Sequence, residues 1–168
     1  MVEHKPITFV DKMGDRFDLT ACTRTHWPAL FEMYDHFAPM AVTQGLPPID
    51  EKARHAWVSG VLASGENFLA WRGDHVVGHC SLILGEDRAD GEYLIFVNQP
   101  YRNRGLGTAL TRMAVDRAAE LGVKAIWLTV EALNFRAIKL YKKIGFVFCD
   151  AGERERTMIL HLRAQDGT

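Results

Sequence analysis

Apolar residues recur along this chain with two different periods, and the switching between them divides it into strands and helices. Ile7 to Val10 and Arg16 to Cys22, joined around Met13-Gly14-Asp15, predict an N-terminal hairpin. A helix follows from about Thr25 to Phe37, with Pro28 tolerated in its first turn. Ala38 to Ile49 carries Pro39, Gly45, Pro47 and Pro48 and predicts a loop, after which a second helix runs from about Asp50 to Ala63. Phe68 to Arg72 and Val76 to Leu84 predict a hairpin turning at Gly73-Asp74, and the polar Gly85 to Asp90 turn leads into a strand from Glu92 to Val97.

Beyond Gly105 the period changes. Leu106, Ala109, Leu110, Met113, Ala114 and Leu121 have the spacing of an amphipathic helix, which Gly122 ends. A strand from Ala125 to Val130 comes next. Asn134 then caps a helix with Ala137, Ile138, Tyr141 and Ile144 on one face, and Gly145 supplies its left-handed stop. Phe146 to Cys149 and Arg156 to Leu162 complete the strands, with Glu153-Arg154-Glu155 at their turn.

Composition narrows the class of molecule. With 168 residues, 48% hydrophobic and 24% charged, the chain suits one globular domain over 1–168 with a real core. No repeat, low-complexity tract or linker divides it. A net charge of −1 gives no reason to expect nucleic acid or an anionic membrane surface as a partner. The apolar runs are too short to span a bilayer, and Met1 to Pro6 has no apolar signal core, so the expected location is cytoplasmic. Cys22, Cys80 and Cys149 form no C-x-x-C pair, which fits reduced thiols.

The candidate chemistry begins in the stretch from Tyr101 to Leu110, where an apolar strand passes into a helix through a basic, glycine-containing turn. Amides in the first turn of a helix have no internal acceptor and carry the positive end of its dipole, so they can hold a diphosphate. Gly105 and Gly107 would admit the oxygens, and Arg102 and Arg104 would add charge. A Rossmann fingerprint would need a small residue at Leu110, and a P-loop would need Lys-Ser/Thr after its last glycine, so neither fits.

Arg102-x-x-Gly105-x-Gly107 resembles the R/Q-x-x-G-x-G/A signature of the GNAT N-acetyltransferase superfamily. The later segment from Asn134 to Phe146 resembles that superfamily's N-x-x-A-x-x-L-Y-x-K-x-G-F in spacing and residue type. Both segments occur in the family's order with a strand between them. The resemblance implies an α/β (α+β) fold, the GNAT acyl-CoA N-acyltransferase fold, with a mixed central sheet of about seven strands flanked by four helices. It also implies acetyl-CoA as cosubstrate, no metal, and an amine acceptor. In that family the strand before the phosphate turn splays from its neighbour and pairs with the pantetheine arm. Carried over, Ile95 and Val97 supply those amides, and the backbone of Arg102, Asn103, Arg104, Gly105, Leu106, Gly107 and Thr108 holds the pyrophosphate. Asn134, Ala137 and Tyr141 border the cofactor, with Tyr141 beside the sulfur as general acid.

The amine must lose a proton before it attacks. At pH 7 that costs roughly 4.6 kcal/mol for a lysine-like amine and about 1 kcal/mol for an α-amino group. Glu92 is the candidate base, acting directly or through water. On a regular strand it faces with Leu94 and Phe96, opposite Ile95 and Val97, unless a bulge changes the parity. A tyrosine packed in the core and an exposed strand-end carboxylate are the structural alternatives for Tyr141 and Glu92.

Other constellations point elsewhere less well. His79 and Cys80 are strand neighbours and face opposite ways. His75 and His79 lie roughly 13 Å apart along a strand, too far for one metal ion. His4, His26, His36, His55 and His161 have no ligand spacing. Trp27, Trp57, Trp71 and Trp127 read as core or rim residues, and Lys139, Lys142 and Lys143 as a solvated helix face, with a role near the CoA 3′-phosphate as an alternative. An acyl-CoA-binding sensor and a protein-amine acetyltransferase remain alternatives to a small-amine enzyme, and the oligomeric state, a homodimer included, stays open. The acceptor pocket would come from the first two helices, the Ala38 to Ile49 loop and the Gly85 to Asp90 turn. The carboxylates Glu86, Asp87, Asp90 and Glu92, before and within the central strand, favour a cationic acceptor, with simple turn solubility as the alternative.

Overall fold

The computed structural model describes residues 5–38, 46–149 and 154–163. Residues 39–45 of the expected loop and Glu153 of the last turn lie outside the described residues, as does His4. Among the described residues eight strands form one sheet: β1 (Ile7–Val10), β2 (Arg16–Ala21), β3 (Gly65–Arg72), β4 (His75–Leu84), β5 (Asp90–Val97), β6 (Ala125–Glu131), β7 (Val147–Phe148) and β8 (Glu155–His161). Their spatial order is β1-β2-β3-β4-β5-β6-β8-β7. All neighbours are antiparallel except β5 and β6, which are joined through a helix and therefore run parallel. The sheet exceeds the expected seven strands because both arms of the N-terminal hairpin join it.

Four α-helices accompany the sheet among the described residues: α1 (Trp27–Asp35), α2 (Glu51–Ser64), α3 (Leu106–Glu120) and α4 (Phe135–Ile144). The first expected helix is shorter than its apolar pattern, because Arg24–His26 forms a 3-10 turn and the α-helix starts at Trp27. Asp50 caps α2 by accepting from the Ala53 amide at 2.8 Å. Strand β3 starts at Gly65, directly after α2, three residues before the apolar run that marked it in sequence.

Strand alternation sends side chains to two cores, one on each side of the sheet. On one side Tyr93, Ile126, Leu128, Val130 and Met158 meet Leu106, Leu110 and Ala114 of α3 and Ile138 and Tyr141 of α4. On the other, Leu69 and Phe96 meet Leu30, Met33 and Tyr34 of α1 and Val58 of α2. A buried chain of hydrogen bonds crosses the second core. The Tyr34 hydroxyl lies 2.6 Å from His79 Nδ1, and His79 Nε2 lies 2.8 Å from Asn67 Oδ1. Burial holds His79 neutral, with its pKa down to about 3.

Candidate active site

Strands β5 and β6 pair only through Asp90–Glu92 and Ala125–Trp127. Past Glu92 they separate, so Tyr93 to Val97 have β4 on one side and a gap on the other. Which backbone groups enter the gap follows from the antiparallel register. Asn98 donates to the Val77 carbonyl at 2.9 Å and Gly85 to the Asp90 carbonyl at 3.3 Å, so even-numbered residues of β5 face β4. The amides of Ile95 and Val97 therefore point into the gap. The Val97 carbonyl is engaged, since it accepts from Arg102 Nε at 2.8 Å.

The gap opens onto the start of α3. Asn103 and Gly105 both have left-handed backbone, with φ of 62° and 91°, which turns the chain sharply into the helix. No side chain caps α3, and the first helical bond runs from Ala109 to the Gly105 carbonyl at 3.1 Å. Hence the amides of Leu106, Gly107 and Thr108 have no acceptor among the described residues. Gly107 has a packing role too, because a Cβ there would sit 3.1 Å from Leu140 Cδ1.

Both arginines of the turn are already engaged. Arg104 bonds to Asp11 at 3.1 Å and Asp15 at 2.8 Å on the β1–β2 turn. Arg102 reaches the Ala38 carbonyl at 3.3 Å and lies over the Phe37 ring, tying the end of α1 to β5. What the turn presents to an anion is therefore backbone more than guanidinium.

Tyr141 comes from the second turn of α4, on the α3 side of the sheet, with its ring centroid 5.7 Å from that of Phe146. Burial pushes its pKa up to about 12, and its hydroxyl has no hydrogen-bond partner among the described residues. Asn134 and Ala137 engage each other, the Asn134 side chain accepting from the Ala137 amide at 3.2 Å. Glu92 lies on the opposite face. The β4–β5 register runs without a bulge, so Glu92 keeps its parity with Leu94 and Phe96 on the α1–α2 side. It is partly buried, and desolvation raises its pKa above the ordinary carboxylate value. Glu92 and Tyr141 thus flank the gap from opposite faces of the sheet.

The remaining residues separate as their positions dictate. His79 faces the α1 side, whereas Cys80 faces α3 and contacts the Leu110 carbonyl at 3.6 Å. Lys142 lies over Phe148. Among the described residues no group of three or more His, Cys, Asp or Glu side chains could hold a metal ion, and no helix is long and apolar enough to cross a membrane.

The model of the GNAT acetyltransferase family matches residues 27–146, which include the gap, the α3 turn and α4. The chain belongs to this family. Among curated relatives it is 31% identical over 80 residues to mycothiol acetyltransferase of Corynebacterium efficiens, a match covering 48% of this chain and 27% of that protein. It is 42% identical over 52 residues to the ribosomal protein bS18-alanine N-acetyltransferase of Escherichia coli, covering 31% of this chain and 35% of that one. These matches span only about a quarter to a third of the relatives' length.

Solved structures agree on the fold over nearly the whole length. The GNAT domain of Streptomyces lividans PAT superposes with a TM-score of 0.77 at 15% identity, covering 94% of this chain and 97% of that one. A putative acetyltransferase from Salmonella typhimurium, solved with its cofactor acetyl-CoA, gives 0.69 at 18% identity, covering 90% and 96%. The residues of this GNAT chain fit such a cosubstrate. A one-sided strand edge suits an extended amide-bearing arm, and an uncapped helix start reached through a left-handed glycine suits a diphosphate.

Proposed function

We propose that this GNAT chain moves the acetyl group of acetyl-CoA directly to a small primary amine in a ternary complex. One observation carries the reading: the β5–β6 gap ends at the uncapped start of α3, with a carboxyl on one face and a phenol on the other. The amides of Ile95 and Val97 hold the pantetheine arm, and those of Asn103 to Thr108 hold the pyrophosphate, since the Arg102 amide expected with them already donates to the Gln99 carbonyl at 3.3 Å. Asn134 and Ala137 border the arm from α4. The thioester supplies an activated acetyl carbon.

The amine approaches from the Glu92 face and loses its proton to that carboxylate, directly or through one water. Its nitrogen forms the new bond to the acetyl carbon, and the bond from carbon to sulfur breaks with its electron pair going to sulfur. Of the two gap amides, the one nearer the thioester donates to the carbonyl oxygen as charge develops there. Tyr141 donates a hydrogen bond to the leaving sulfur. With its pKa near 12, complete transfer to a thiolate of reference pKa about 8.5 is uphill by roughly 5 kcal/mol, so stabilisation precedes protonation by solvent. In this reading residues 1–168 act as one cytoplasmic domain.

Calorimetry with acetyl-CoA, followed by release of CoA thiol across an amine panel, tests the proposal. Micromolar binding with amine-dependent thiol release is the expected result. Binding without release for any amine would identify a sensor, and release only with peptide amines would identify a protein acetyltransferase.

A further inference from the structure

Trp127 of β6 is the in-register neighbour of Glu92, and Ile159 of β8 is the in-register neighbour of Trp127. Ile83 of β4 lies opposite Glu92 on its other side. Paired residues share a face of the sheet. Because Tyr93, Ile126, Leu128 and Met158 point into the α3-side core, this row points to the α1–α2 side. Ile83, Trp127 and Ile159 are nevertheless partly exposed and belong to neither hydrophobic cluster. Trp127 has no ring contact or side-chain hydrogen bond with any described residue. A tryptophan in mid-sheet that joins no core is apolar surface with a function still to fill.

We propose that Trp127, with Ile159 beside it and Ile83 on the far side of Glu92, is the platform for the acceptor's carbon body. The acceptor is then an amine carrying an aromatic or branched apolar group a few bonds from its nitrogen. This rests on the acetyl-transfer reading above. The occupant follows from position and charge. The row includes Glu92, the last paired residue before the gap, so an ammonium held there lies next to the acetyl group while its body lies across β6. Glu92 to Trp127 is one strand spacing and Glu92 to Ile159 two, about 5 and 10 Å, the reach of a ring two carbons from nitrogen. Farther along the same face Glu131 and Glu155 stand directly opposite each other, both exposed. They repel an acceptor that carries a carboxylate.

The test compares phenethylamine with ethylamine on the wild-type chain and on Trp127→Ala, both saturated with CoA for calorimetry and with acetyl-CoA for turnover. Phenethylamine should bind at least tenfold more tightly than ethylamine to the wild type, and Trp127→Ala should remove most of that preference. Ethylamine binding should change by less than threefold, and acetyl-CoA affinity and melting temperature should hold. Trp127→Phe should retain most of the preference. Equal binding of the two amines, or an equal loss for both in Trp127→Ala, overturns the proposal. So does a dimer that Trp127→Ala turns into a monomer, since a second copy would then cover the row. Tight, Trp127-dependent binding without thiol release would sustain the platform and overturn the acetyl-transfer reading instead.

Discussion

Helices α3 and α4 both begin where a strand of the splayed region ends, yet their first turns are built in opposite ways. α4 supplies its own cap, because Asn134 accepts from the Ala137 amide. α3 starts from Gly105 in the left-handed region with no side-chain cap among the described residues. A first turn closed by its own asparagine needs nothing further, whereas one left open favours an external anion. Burial sharpens the contrast: Leu106 at the start of α3 is buried, while Phe135 at the start of α4 is 70% exposed.

The largest expected effect comes from capping α3 artificially. Thr108→Asp places a carboxylate at the third helical position, where it stabilises the helix by about 0.3–1 kcal/mol through the dipole and occupies the space proposed for a diphosphate. Acetyl-CoA affinity should fall at least a hundredfold while the melting temperature holds or rises. Normal affinity by calorimetry would remove the phosphate role from this turn.

Tyr141→Phe should act on turnover more than on binding. In the proposed mechanism the hydroxyl meets charge that appears on sulfur only as the bond breaks, so kcat should drop ten- to a hundredfold with acetyl-CoA affinity within threefold of wild type. An unchanged kcat, with chemistry shown to be the slow step, would make Tyr141 a packing residue like Phe146.

Glu92→Gln should lower the rate at neutral pH by about tenfold for an alkylamine, with the deficit closing as pH rises and the amine loses its proton unaided. Because burial raises the Glu92 pKa, the acidic limb of the wild-type profile should lie above the ordinary carboxylate value. The sign for stability is the opposite of a salt-bridged carboxylate. Folding here favours the neutral acid, so wild-type stability falls as pH rises from the ordinary carboxylate value through the raised one. Glu92→Gln should therefore be no less stable at pH 7. A destabilised variant would point to a structural carboxylate.

The starts of α3 and α4 are readable in sequence because their determinants are local. Gly105, Asn134 and Gly145 each act through their own backbone or the next turn, so spacing alone located both helix starts and the α4 stop. The β5–β6 gap is non-local. Its extent depends on where pairing with β6 ends, and only the family resemblance suggested it. The same holds for Arg104, whose partners Asp11 and Asp15 are far away in sequence, and for Arg102, which binds Val97 and the end of α1. Trp127 read as packing because a single tryptophan between Ile126 and Leu128 looks like core. Counting which of the three faces each helix layer would have been the only sequence signal, and it needs the strand order first.

The smallest effect should come from the cap that α4 already has. Removing it in Asn134→Ala exposes the Ala137 amide and costs about 1 kcal/mol, or roughly 2–4 °C in melting temperature for a chain of this size. If Asn134 acts chiefly as a cap, acetyl-CoA affinity should change by less than threefold once stability is restored by lower temperature. Asn134→Ser, which can still cap, should recover most of the melting temperature. A loss of affinity above tenfold in both variants would show that the asparagine amide itself meets the cosubstrate, and the two helix starts would then differ less than their hydrogen bonds imply.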